Sequence, residues 1–276
     1  MSNKNKPVEE ASRNEAFVTK ASTGIWQEIP DEKHEYLATG ARCFGYAQED
    51  LLAGGYGITE MLFLLTRGEL PNQQQRKLLD AIGVALSNPG PRHPATRAAM
   101  EAAVSKTRTR NLLPIALTVL SGDFAAGGVE KNMRFLRLNR RKNPEDVFAE
   151  LHADYRGEEN DEEVVPGFGP HFGLRETFYV NLAWQVRRVS EEALPHLDWC
   201  LAMDSSLQDS IFGLKSTGLA AAVFLDLGFH PRFGPSLYQF LSSPGLIAHG
   251  IEMSNRPFTE MPFVSDDNYH SEDDLK

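Results

Sequence analysis

The stretch "VVPGFGPHFGLRE", Val164 to Glu176, gathers the residue types most suited to chemistry. Gly167, Gly169 and Gly173 alternate with Phe168 and Phe172 around the pair Pro170-His171. Glycine tolerates positive φ and close backbone approach, so such a loop can wrap a ligand, or equally make a tight connection between helices. His171 is the imidazole in it, and an imidazole titrates where general acid or base chemistry needs it. His93 lies in the breaker "NPGPRHP", where a plain loop role is expected. His249 lies inside an apolar helical run, where a packed, hydrogen-bonded core histidine is expected. The two cysteines, Cys43 and Cys200, form no CxxC or Cys/His ligand spacing, so no metal site is expected.

The elements that must position these groups read as helices. Leu51-Leu52, Ile58, Met61-Leu62 and Leu64-Leu65 recur at the spacing of a buried helix face, and Gly68 and Pro71 form a stop and start pair. "NQQQRKLLDAIGVALS" puts Leu78, Leu79, Ile82 and Leu86 on one stripe. "ATRAAMEAAVSK" and "NLLPIALTVLSG" follow, the second with Pro114 near its start. Asn143-Pro144 opens a short acidic helix, and the run "GEENDEE" leads into the glycine loop. Beyond the loop, "ETFYVNLAWQVRRV", "SLQDSIFGLKSTGLAAAVFLDLG" and "SLYQFLSSPGLIAHGIEMS" read as helical throughout. Period-2 alternation is almost absent, so the expected class is all-α with negligible strand content.

The composition narrows the function. With 276 residues, 41% of them hydrophobic, the chain can bury a sizeable core. Its formal net charge of -10 argues against nucleic acid and against anionic membrane surfaces as partners. Residues 1–15 are polar and expected to fray, with no apolar signal region. No apolar run approaches the roughly 18 residues of a membrane span. A soluble, cytoplasmic protein with reduced thiols is expected.

Five stretches taken together resemble the citrate synthase superfamily, and its citryl-CoA lyase-like branch in particular. "RCFGYAQEDLLAGGYGITEMLFLLTRGELP", Arg42 to Pro71, is similar to the family's opening Arg-Gly-Tyr-Asp turn and the helix ending Leu-Leu-x-Gly-x-Leu-Pro. "GDFAAGG", Gly122 to Gly128, stands where the family has a loop ending His-Gly-Gly, and "PGFGPH" where it has Pro-Gly-Phe/Tyr-Gly-His. "KSTGLAAAVFLDLGF" is similar to the Asn-Val-Asp-Gly segment and its helix, and "SSPGLIAHGIEMSNRP" to the helix Gly-Leu/Trp-Ile-Ala-His-x-x-Glu. The matches run in the family's order from about residue 40 to residue 257.

The resemblance implies an all-α, citrate synthase-like fold. Residues 1–35 would be an N-terminal extension, 36–112 with 213–257 a large helical domain, 113–212 a smaller one closing over a cleft, and 258–276 an acidic tail. It implies making or breaking a carbon–carbon bond beside a CoA thioester, with an Asp as base and two histidines as donors. The loop Val165, Gly167, Phe168 and Gly169 would lie against the adenine of coenzyme A, with Arg175 and the basic run Arg134–Lys142 as phosphate candidates. The acidic run before the loop would repel those phosphates.

Each reactive position is substituted. Ala126 stands for the first histidine, Pro170 for the second, Thr217 for the Asp, and Asn88-Pro89-Gly90 for an Asp-His-Gly. The available replacements are His171, displaced by one residue, and Asp123, for which a helix-end cap is the plainer role. Three functions remain open. One is a non-catalytic or regulatory subunit in a homo-oligomer, or in a hetero-oligomer with an active paralogue. The second is an acyl-CoA carbon–carbon lyase or synthase with a rearranged site. The third is a module sensing CoA thioesters or carboxylates.

Overall fold

The computed structural model describes residues 16–153 and 163–269. The terminus expected to fray over 1–15, the acidic run through Glu162 and the tail beyond Tyr269 lie outside the described residues. The chain divides into two units, Met1–Glu69 and Leu70–Lys276.

The first unit opens with strands that the sequence reading did not anticipate. β1 (Trp26–Pro30) pairs antiparallel with β2 (Ala38–Cys43), Trp26 opposite Cys43 and Ile29 opposite Gly40. β2 returns through Phe44 and Gly45, both at positive φ (46° and 88°), to β3 (Tyr46–Ala47). Two central residues at positive φ are the signature of a type I′ hairpin turn. The strands escaped notice because β1 is exposed along its whole length, so its apolar residues sort to no buried face, and β3 is only two residues long. Then come α1 (Gln48–Ala53) and α2 (Ile58–Arg67). Glu60 accepts the Gly57 N–H at 2.9 Å to open α2, and Gly68 closes it at φ 77°.

The second unit is helical: α3 (Gln73–Leu86), α4 (Pro94–Val104), α5 (Leu112–Leu120), α6 (Ala126–Asn139), α7 (Pro144–His152), a short β4 (Phe168–Gly169), α8 (Phe178–Val189), α9 (Pro195–Ser206), β5 (Gly213–Leu214), α10 (Ser216–Asp226) and α11 (Gly234–Ser254). The fold class is all-α, with eleven α-helices among the described residues. One helix reading is corrected. The stretch from Ser206 to Gly228 is not helical throughout, because the chain leaves the helix after Ser206 and re-enters it at Ser216. The break is held by alternative partners for its backbone. Leu214 donates its N–H to Asp204 Oδ1 at 3.0 Å, and β5 pairs with β4.

α10 is buried on every side from Thr217 to Leu225, as suits a helix apolar all round. It packs against α6 and α9, while α11 lies on α4, α5 and α6. Asp226, at the end of α10, accepts the N–H groups of His196 (3.0 Å) and Leu197 (2.9 Å) and so closes the start of α9. α11 carries Pro244 in its interior. The next residue, Gly245, donates its N–H to Ser87 O at 2.8 Å, and a Cβ there would meet Asn88 Cα at 2.6 Å. The Pro-Gly step is thus where the end of α3 docks.

Capping explains the starts of α3 and α4. Asn72 and Gln75 exchange side chain-to-backbone bonds at 2.8 and 2.9 Å, a capping box. His93, expected as a plain loop residue, caps α4, its Nδ1 accepting the Ala95 N–H at 3.1 Å. Only the neutral ring can accept there, and burial pushes the imidazole below its ordinary value of 6.5. The folded state therefore binds fewer protons than the unfolded one. The cap's contribution is complete above about pH 6.5 and is lost as pH falls below it. The urea midpoint is expected to drop more between pH 7 and pH 5 in the wild type than in His93→Asn, which caps without titrating. Equal pH slopes would contradict this role.

Candidate functional site

The glycine loop is two turns in succession. In the first, Phe168 N–H donates to Val165 O at 2.7 Å, with Pro166 and Gly167 between and Gly167 at φ 88°. Proline then a left-handed glycine is the type II pattern, which explains Pro-Gly at this point. In the second, His171 and Leu174 exchange both backbone bonds (2.7 and 3.1 Å) around Phe172 and Gly173, at φ 50° and 74°. Between the turns, Phe168 pairs with Leu214 and Gly169 with Gly213. Phe168 is buried, its ring edge-on to Trp199.

The first turn is pressed onto the start of α10. Lys215 N–H donates to Gly167 O at 2.9 Å. A Cβ on Gly218 would fall 2.4 Å from Gly167 O, and one on Gly167 would fall 2.7 Å from Gly218 Cα. Neither position has room for a side chain. The "GDFAAGG" loop is wound as tightly, since a Cβ on Gly128 would lie 2.4 Å from Asp123 O. These contacts require glycine at all three positions.

Ala126 is fully buried at the first position of α6, Pro170 is buried, and Thr217 is buried in the first turn of α10. His171 does not reach into their company, for it is exposed on the second turn with its ring against Phe172. Asp123 is exposed, and the expectation that it caps a helix is corrected: the N-cap of α6 is Ala125, with no side-chain cap bond. The family-like loop and helix are joined instead by residues the sequence reading passed over. Glu163 Oε2 accepts the Gly167 N–H at 3.0 Å, and its Oε1 lies 3.4 Å from the Thr217 hydroxyl. Asn132, on α6, is fully buried, and neither amide atom has a partner among the described residues. Its Nδ2 lies 3.5 Å from where a Gly167 Cβ would be.

Arg175 is committed elsewhere. Its guanidinium pairs with the buried Asp204 carboxylate and donates to Asp204 O at 3.2 Å. Val165 is fully buried. The basic run from Arg134 to Lys142 has its cations on an exposed face, with Arg134 paired to Glu130 at 3.0 Å. His249 is half-buried rather than a core residue, and its Nε2 meets Asn88 Oδ1 at 3.2 Å. That contact joins α11 to the end of α3, between residues 161 apart in sequence. Cys43 and Cys200 are buried thiols pushed up by desolvation, Cys200 well above its ordinary value with Asp226 and Asp204 adding to the effect. Neither is a ready thiolate nucleophile. Among the described residues no three His, Cys, Asp or Glu side chains are grouped to hold a metal. No helix among them is long and apolar enough to cross a membrane.

No protein-family model matches the chain, and no curated protein matches it by sequence. Solved structures match it in fold. The chain is similar to citryl-CoA lyase from Hydrogenobacter thermophilus, with a TM-score of 0.72 and 22% identity over 91% of this chain and 94% of that one. It is similar to ATP citrate lyase from Methanothrix soehngenii, solved with citrate and coenzyme A, with a TM-score of 0.66 and 17% identity over 92% of this chain but 44% of that one. Citrate synthase from Thermotoga maritima MSB8 follows at a TM-score of 0.58 and 19% identity, over 77% of this chain and 57% of that one. The fold is therefore the citrate synthase-like one, in the form that citryl-CoA lyase shares across nearly its whole length.

Proposed function

We propose that this chain is a citrate synthase-fold subunit that has left the standard acid/base chemistry of such folds and acts as a non-catalytic partner in an oligomer. The observation that carries the reading is the set Ala126, Pro170 and Thr217. An aliphatic, an imino acid and a buried alcohol occupy the three places where the resemblance asks for two donors and a base. Each such role supplies roughly 10²–10⁴-fold in rate. The replacement closest in sequence, His171, is held on an exposed turn. A CoA thioester is the ligand class this reading retains, supported by the fold's likeness to a lyase solved with citrate and coenzyme A. The closing of a smaller domain, 113–212, over the cleft belongs to the same proposal.

The surface supports assembly. α11 turns Phe240, Ile247 and Ile251 outward, 43, 43 and 46% exposed, at the spacing of one helical stripe. A stripe of that kind suits a second subunit. Sedimentation at about micromolar concentration is expected to show no monomer, with an interface of roughly 2,000 Å² or more in total. Ile247→Glu with Ile251→Glu is expected to release monomer. Mixing with an intact paralogue from the same host is expected to change that enzyme's rate or to give co-elution. A stable monomer that ignores the paralogue would favour the ligand-sensing module.

A further inference from the structure

We infer that the outer face of α6 and the turn after it, Lys131 to Lys142, is a docking surface for an acidic, amphipathic segment of a partner protein. Six of these residues are Lys or Arg and none is Asp or Glu. Taking those six from the chain's 28 basic residues leaves 22 against all 38 acidic ones, a balance of -16 elsewhere and +6 here. The six cations are exposed, while Val129, Met133 and Leu136 turn the other side of the helix into the core. Exposed arginines elsewhere find carboxylates, as Arg97 meets Glu101 at 3.5 Å and Arg256 meets Glu252 at 3.3 Å. In this run Arg134 does so, with Glu130. Lys131, Arg137, Arg140, Arg141 and Lys142 have no acidic partner among the described residues. The helix dipole favours cations at a C-terminal end, which suits Arg137 and Arg140 but not Lys131, in the first half of the helix. Leu138 decides the class of partner. It is 80% exposed, with Arg134 one turn before it and Arg141 and Lys142 one turn after. A nucleic-acid backbone offers nothing apolar to cover it, and a bilayer surface binds through more apolar area than one leucine supplies. Carboxylates placed around an apolar side chain meet both features. The face is about 18 Å long at 1.5 Å per residue, so the contact is small, weak and sensitive to salt. This inference stands apart from the oligomer proposal, since it rests on α6 and not on the α11 stripe.

Fluorescence anisotropy on the full chain tests it. The probes are a labelled synthetic peptide of about twelve residues, matched to the face, with Glu on both sides of a central Leu, and the same peptide with Ser for that Leu. The Leu peptide is expected to bind with a Kd of about 10–100 μM at low salt, weakening about tenfold from about 0.05 M to about 0.3 M sodium chloride. Arg137→Glu with Arg141→Glu is expected to weaken it about tenfold or more. Leu138→Ser is expected to weaken the Leu peptide about threefold and the Ser peptide not at all. A second measurement needs no variant and so holds if the variants fail to fold. At about twice its Kd, the Leu peptide is expected to slow chemical acetylation of the Lys131 and Lys142 amines on the wild type about threefold, with that of Lys77 unchanged. No binding, equal binding of the two peptides by the wild type, undiminished binding by the Arg137→Glu, Arg141→Glu variant, or unprotected Lys131 and Lys142 each overturns the docking surface. Tighter binding of single-stranded oligo-dT or of phosphatidylserine vesicles than of the Leu peptide overturns the acidic segment as its partner.

Discussion

Gly218→Ala is expected to lower the unfolding free energy by about 3 kcal/mol, the upper part of the range for overpacking, read from a urea titration with unchanged slope. The added methyl would sit 2.4 Å from Gly167 O and 2.9 Å from a Leu214 methyl. The backbone oxygen cannot turn away as a flexible side chain could, because it accepts the Lys215 N–H at 2.9 Å. Relief requires the type II turn and the start of α10 to part, which also strains the Glu163 bond to Gly167. Gly167→Ala should be worse than its own crowding suggests, since φ 88° adds about 1–2 kcal/mol for a residue with a Cβ. Gly24→Ala is the control: nothing lies within 4 Å of its Cβ position, and a change within about 0.5 kcal/mol is expected. A tolerated Gly218→Ala would mean that the loop is not seated on α10.

Asp204→Ala is the second large effect, with an expected loss of about 3–5 kcal/mol, the range for stripping one partner from a buried ion pair. The Asp204 side chain is 5% exposed and that of Arg175 is 15%. One carboxylate oxygen holds the guanidinium and the other holds the Leu214 N–H at 3.0 Å. Removing it leaves a buried cation and an unpaired amide at the strand pair β4–β5, which carries the glycine loop. Arg175→Ala should cost less, because the remaining carboxylate keeps the Leu214 bond. A double-mutant cycle should give a coupling above about 1 kcal/mol. Additive losses would show that the pair does not hold the loop.

The helical frame was legible because its signals are local. The stripe Leu78, Leu79, Ile82 and Leu86 buries as its spacing requires, and Asn72 with Gln75 fixes where α3 begins. The family-like order of motifs pointed to the fold found in citryl-CoA lyase. What escaped was set by tertiary contact. The non-helical segment 207–215 is apolar enough to pass for helix, and it leaves the helix because Asp204 and β4 offer its amides better partners. Glu163 ends the acidic run before the glycine loop, with no local sign of a partner, yet it meets Thr217 from 54 residues away. The sheet β1–β3 lacked a buried face to give it a period. At the site, the sequence showed Ala126, Pro170 and Thr217 where the resemblance implies two histidines and an Asp. The close backbone contacts at Gly167, Gly218 and Gly128 depend on tertiary packing and left no mark in it.

The central proposal is that a citrate synthase-like fold here works without the standard acid/base chemistry. The direct measurement is turnover by the isolated chain: thiol release from acetyl-CoA with oxaloacetate, and cleavage of citryl-CoA. No rate above the uncatalysed background is expected, because Ala126, Pro170 and Thr217 supply neither the base nor the two side-chain donors. Turnover on the order of 1 s⁻¹, within the ordinary range of enzymes, would contradict the account, and its disappearance in His171→Ala would identify the displaced histidine as the replacement.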